Sequence, residues 1–193
     1  AMEVDLCMER GSQLVRELSH RGTNAILPGE MGIGNSSAAA LLYSALLGLP
    51  LDECVGVGAG HDSAGHARKK AILARVQARH PGITTPREAL AAFGGCEIAM
   101  MAGSMLGAAA QRMLIMVDGF IATSALIVAW KTNPAVLDYC VFAHASGDGP
   151  HRLAVNALGG KPLLDLGMRL GEGTGAAMAW PIVRASVAFL NEM

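Results

Sequence analysis

The chain has 193 residues, room for one domain or one large domain with a small appendage. Apolar residues make up 52% and charged residues only 16%, too little solvated surface for a disordered segment or an extended coiled coil. Lys and Arg total 15 against 16 for Asp and Glu, so there is no general attraction to nucleic acid or anionic lipid, and any anion must be held by local geometry.

Residues 4–21 place Leu6, Leu14, Val15 and Leu18 among charges, the pattern of an amphipathic helix that Gly22 ends. Ala25-Ile26-Leu27 reads as a short buried strand running into Pro28-Gly29. Asn35, Ser36 and Ser37 are N-cap candidates for a helix over 38–47, stopped by Gly48 and Pro50. Val55-Gly56-Val57 reads as another strand, followed by a glycine-rich turn and a basic helix over 64–79. Helices are expected over 86–93 and 98–110.

Leu114-Ile115-Met116-Val117, ending at Asp118-Gly119, has the continuous apolar character of a central parallel strand. A helix over 121–130 leads to a further strand, Tyr139-Cys140-Val141-Phe142-Ala143, which ends at His144 and Ser146. A helix over 151–158 follows. The Gly171-Glu172-Gly173-Thr174-Gly175 turn opens a last helix that runs to Met193, with Pro181 near its first turns. Strand and helix alternate without linker or repeat, which argues for an α/β fold with a mostly parallel sheet and helices on both faces.

The apolar stretch 98–117 is interrupted by Gln111 and Arg112 and weakened by Gly103 and Gly107, so it reads as a buried helix and a buried strand rather than a membrane span. Cys7, Cys54, Cys96 and Cys140 form no CxxC pair and have no nearby His to complete a zinc site. They read as buried small apolar residues in a reducing compartment. The first residues carry neither a basic n-region nor an apolar h-region, so nothing in them suggests secretion, and a cytoplasmic location is expected.

Three strand candidates end in polar residues set in glycine-rich turns: Glu30, Asp118 and Ser146. In an open parallel sheet the ligand crevice lies at the carboxyl edge, so these residues should converge on one rim. Taken singly, each also reads as a turn residue capping the next helix. The loop from Gly29 to Ser37 has glycines that let backbone N–H groups face a ligand, and the helix start after it favours negative charge. It has neither the Walker A lysine nor GxGxxG spacing. Its glutamate would repel a phosphate in direct contact and suits a sugar or a developing positive charge.

Gly56-Val57-Gly58-Ala59-Gly60, with Arg68-Lys69-Lys70 about three helical turns on, reads as a second anion site or as a solvated basic helix face. His61 and His66 carry only a weak suggestion of metal binding. A carboxylate at Glu172 would rise in pKa in a dehydrated pocket and serve as a general base, whereas a nearby helix N-terminus would hold it ionised.

Together these stretches resemble the nicotinate-nucleotide–dimethylbenzimidazole phosphoribosyltransferase family of cobalamin lower-ligand biosynthesis. The anchors are Gly29 to Asn35, Gly94-Gly95 with Glu97-Ile98, Val117-Asp118-Gly119-Phe120, Ser146, residues 163–166, and Arg169 to Ala176. The resemblance implies a Rossmann-like nucleotide-binding domain over 24–193, with residues 1–23 as a helix left from a preceding region and part of a small helical domain missing. It implies Glu172 as general base and Glu30 as a second carboxylate near the ribose. Gly32, Gly58, Lys69 and Ser146 fall at nucleotide contacts, with Glu97, Asp118 and Gly171 at the same rim.

The implied substrates are nicotinate mononucleotide and 5,6-dimethylbenzimidazole, with no metal, no cofactor and a homodimeric assembly. A phosphometabolite-binding module without catalysis is the alternative, because the family's N-terminal part, which helps build the base pocket, is absent. A purely structural reading, in which exposed apolar faces pair with another chain, is a third.

Overall fold

The computed structural model describes residues 2–56, 63–147 and 149–193. Three parallel strands, β1 (Ala25–Ile26), β2 (Leu114–Val117) and β3 (Cys140–Phe142), form a sheet in the order β1-β2-β3. Ala25 pairs with Leu114, and Ile115 with both Ile26 and Cys140, so all three carboxyl ends point to one edge. Beyond β3 the sheet is extended by a lone parallel bridge between His144 and Leu164.

Alternation along β2 serves two apolar layers, as a strand's period of two requires. Ile115 and Val117 point into the main core, built with α2 (Asn35–Leu47), α6 (Cys96–Ala110) and α7 (Phe120–Thr132). Leu114 and Met116 point to the other face, against Ala176, Ala179 and Trp180 of α9 (Thr174–Glu192). Helices therefore cover both faces of the sheet, as the alternating pattern predicts. α7 is buried continuously over 122–129, which explains why its sequence is apolar all round.

The 98–117 stretch is a buried helix followed by a buried strand, and no helix among the described residues is long and apolar enough to cross a membrane. α1 (Met2–His20) lies against α6 through glycines. A Cβ on Gly11 would meet the Met100 carbonyl, and one on Gly103 would meet the backbone of Met8. Only hydrogen at these positions permits so close a crossing.

Two expectations are corrected. Val55 and Gly56 belong to no strand: they follow a short helix, α3 (Leu51–Cys54), and Val57 lies outside the described residues. Val55 is buried, and its carbonyl is bound by the His66 ring at 2.9 Å from α4 (Ser63–Ala78), the partner that a sheet neighbour would otherwise supply. Of the cysteines, only Cys54 is fully buried and Cys96 is exposed.

α5 (Pro86–Phe93) keeps its expected bounds because Thr85 caps it, accepting the Glu88 N–H, and Pro86 fills its first position. α8 (Gly149–Ala157) starts two residues before the predicted helix.

Candidate active site

The carboxyl edge of the sheet opens into a cavity of about 880 Å³ whose lining includes Glu30, Gly32, Lys69, Asp118, Ser146 and Glu172. Gly171 lines it as well. The residues that follow the three strands thus meet at one rim. Gly58 lies outside the described residues. Glu97 is not among the lining residues but is close enough that its charge acts on Glu30.

The loop after β1 enters α2 through Gly34, whose φ of 90° is the left-handed conformation that glycine adopts without strain. Gly34, rather than Asn35, Ser36 or Ser37, is the N-cap, and no side chain caps the helix. Asn35 and Ser36 are consequently free to reach sideways. The Asn35 amide donates to the Glu30 carboxylate, and Ser36 Oγ accepts a 3.0 Å hydrogen bond from Lys69 Nζ.

Lys69 comes from α4 and is only 9% exposed. Its ammonium stands beside the amino end of α2, and both favour negative charge in the cavity. Arg68 and Arg169 add two more cations to the wall.

The same cavity also carries carboxylates. Burial pushes the Glu30 carboxyl up, the negative charges of Glu97, Asp118 and Glu172 push it the same way, and the Asn35 hydrogen bond opposes them. Asp118 behaves differently. Burial raises its pKa, but the His144 imidazole and the backbone N–H groups of Ala176 and Gly173 outweigh it and leave the carboxyl below its ordinary value.

Those N–H groups belong to the start of α9. Asp118 Oδ2 accepts from Gly173 at 3.1 Å and Oδ1 from Ala176 at 3.0 Å, so an acid from β2 caps a helix far along the chain. His144, which also lines the cavity, lies against it, Nε2 being 3.5 Å from Asp118 Oδ1.

The turn that carries Glu172 is tightly wound. Gly171, Glu172 and Gly173 have φ values of 80°, 59° and 78°, three successive left-handed residues. For glutamate this conformation costs about 1 kcal/mol or more, strain of the kind found at functional sites. The backbone of Glu172 and Gly173 packs on Gly29, where a Cβ would collide, so the Glu172 turn and the Glu30 loop are in direct contact. Glu172 itself is exposed at the cavity mouth.

Sequence reasoning did not single out His144 or His151 as site residues. Their spacing about Ser146, two residues before and five after, was the available signal. Arg169 entered only as part of a matching stretch, although it lines the cavity.

A family model described as "Phosphoribosyltransferase" matches residues 1–193, the whole chain. The nicotinate-nucleotide–dimethylbenzimidazole phosphoribosyltransferase of Cupriavidus necator is 54% identical over 96% of this chain, and that of Ralstonia nicotianae 53% identical over 100%. A crystal structure of CobT from Thermus thermophilus superposes with a TM-score of 0.92 at 40% identity, covering 97% of this chain and 56% of that one. This chain spans 54% of the length of each of the two sequence relatives. On this agreement of sequence and fold, the chain belongs to the nicotinate-nucleotide–dimethylbenzimidazole phosphoribosyltransferase family.

Proposed function

We propose that this chain carries out, or supplies the catalytic part for, transfer of phosphoribose from nicotinate mononucleotide to 5,6-dimethylbenzimidazole in cobalamin biosynthesis. The products are α-ribazole 5′-phosphate and nicotinate. The observation that carries the reading is one cavity lined by both a cation, Lys69 at the start of α2, and two carboxylates, Glu30 and Glu172. Phosphate belongs with Lys69, Gly32 and Ser146 as contacts, and the reacting C1′ beside the two carboxylates.

The pyridinium nitrogen of the donor is already cationic. Breaking its bond to C1′ returns the electron pair to that nitrogen, and nicotinate leaves without needing a proton. The benzimidazole nitrogen forms the new bond to C1′ while the proton on its other nitrogen passes to Glu172. Glu30, lying nearer the ribose, offsets the positive charge that develops at C1′. Asp118 holds the Glu172 turn, and Glu97 adds negative charge near Glu30. Exposed Met31, Ile33 and Leu170 at the rim offer an apolar surface suited to a flat heteroaromatic acceptor. The assembly is a cytoplasmic homodimer.

The test is a chromatographic assay of both substrates with the unsubstituted protein and Glu172→Gln. Nicotinate release with α-ribazole phosphate formation is expected, falling ~10²–10⁴-fold in the variant, the usual worth of a general base. Nucleotide binding without turnover, or equal rates for the two proteins, would overturn it.

A further inference from the structure

His151, on α8, is fully buried beside Ser146, and the reaction as drawn does not use it. Its Nδ1 accepts the backbone N–H of Ser146 at 3.1 Å, and its Nε2 lies 3.1 Å from Thr123 Oγ1 on α7. A backbone amide can only donate, so Nδ1 is the bare nitrogen and the ring proton sits on Nε2, donated to Thr123. Burial, with the neighbouring His144 acting in the same direction, lowers the imidazole to about 4, so the ring remains neutral near neutral pH.

The bond has a consequence for the cavity. Ala145 and Gly147, on either side of Ser146, donate their N–H groups to Leu164 at 2.7 Å and to Met168 at 3.1 Å. The Ser146 N–H points instead to His151 and is unavailable to an anion. Ser146 itself lines the cavity, and its hydroxyl donates to the Met168 carbonyl at 3.4 Å.

We propose that His151 is a positioning residue for the nucleotide phosphate, fixing through its Nδ1 the backbone of Ser146 where that residue lines the cavity. This rests on the reading above, in which Ser146 contacts the phosphate.

The two ring nitrogens can be imitated separately. His151→Asn keeps an acceptor near the Nδ1 position. His151→Gln reaches toward Thr123 and leaves the Ser146 N–H without a partner. Calorimetry with nicotinate mononucleotide should give about tenfold weaker binding for His151→Gln, the net worth of one hydrogen bond, and His151→Asn should recover most of that loss. In steady state the change should fall on KM for the nucleotide, with kcat nearly unaltered.

Equal affinity in both variants, or losses that track their melting temperatures alone, would overturn the proposal. Should neither variant fold, Thr123→Val releases the ring without removing it and is expected to weaken binding by a few-fold; unchanged affinity would refute it. Failure of the unsubstituted protein to bind the nucleotide would overturn the functional reading, and this inference with it.

Discussion

Asp118, at the end of β2, accepts the backbone N–H of Gly173, the residue that follows Glu172 in the chain. The same carboxylate accepts the N–H of Ala176, so it bridges the sheet edge and the first turn of α9. An amide at position 118 would keep one acceptor and set an NH₂ group against a backbone donor. Asp118→Asn is expected to lose about 1–3 kcal/mol of stability. It should also lower kcat more than nucleotide affinity, because the turn holding Glu172 relaxes while Lys69 does not. Thermal melts and steady-state kinetics together check this, and an unchanged kcat would count against it.

Stability should also respond to acid in two stages. The folded pKa of His151 is lowered from 6.5 to about 4, so the unfolded chain binds its proton more readily. Its contribution is complete above pH 6.5, falls as pH drops toward 4, and amounts to roughly 3 kcal/mol at 1.36 kcal/mol per unit. Asp118 is also depressed in the folded state, and its contribution is lost only as pH falls below 3.8. Denaturant melts from pH 7 to 4 should show the first stage, and His151→Asn should flatten it. A pH-independent midpoint over that interval in the unsubstituted protein would contradict the assignment.

Glu30 is raised by burial and then by the charge of Glu97. Glu97→Gln removes a negative neighbour without emptying the space, so the Glu30 carboxyl should ionise at lower pH. If Glu30 must be charged to stabilise C1′, the acid limb of the kcat/KM profile moves to lower pH in the variant. An acid limb that stays in place would show that Glu30 does not set it.

The convergence of Glu30, Asp118 and Ser146 was legible because it depends only on direction. Three parallel strands must end at one edge, whatever their spacing in the chain. The roles within the rim were less so. Asp118 reads only as a rim residue, and its second task, accepting the N–H groups of Gly173 and Ala176 more than fifty positions away, has no local signal. Val55 misled for a related reason: a Val-Gly-Val stretch before a glycine-rich turn fits a strand, and only the His66 hydrogen bond to the Val55 carbonyl shows that it needs no sheet neighbour. His151 was passed over because its spacing of five from Ser146 does not by itself separate a core histidine from one that fixes the Ser146 N–H.

The α1–α6 crossing tests packing apart from the cavity. Gly103 sits where a methyl group would strike the backbone of Met8. Alanine is favoured over glycine in a helix by ~1 kcal/mol, which would raise stability if the space were open. Here the two helices must move apart, at a cost of about 1–3 kcal/mol typical of overpacking. Gly103→Ala is expected to melt at lower temperature than the unsubstituted protein. A rise would mean that α1 yields freely.

Glu172 places catalytic need and backbone preference in opposition. Its φ of 59° lies between glycines that tolerate the same conformation, whereas a Cβ there is strained. Glycine at 172 would relieve that strain, and alanine would keep the Cβ while removing the carboxylate. Both variants should lose turnover equally, because the base is gone in each. Their stabilities should differ: Glu172→Gly is expected to exceed Glu172→Ala by about 1 kcal/mol, after the extra entropy of the unfolded glycine chain is subtracted from the strain relieved. Differential scanning calorimetry of the pair measures the difference. If Glu172→Ala proves the more stable, the left-handed turn is not retained in solution, and the strain assigned to residue 172 is refuted.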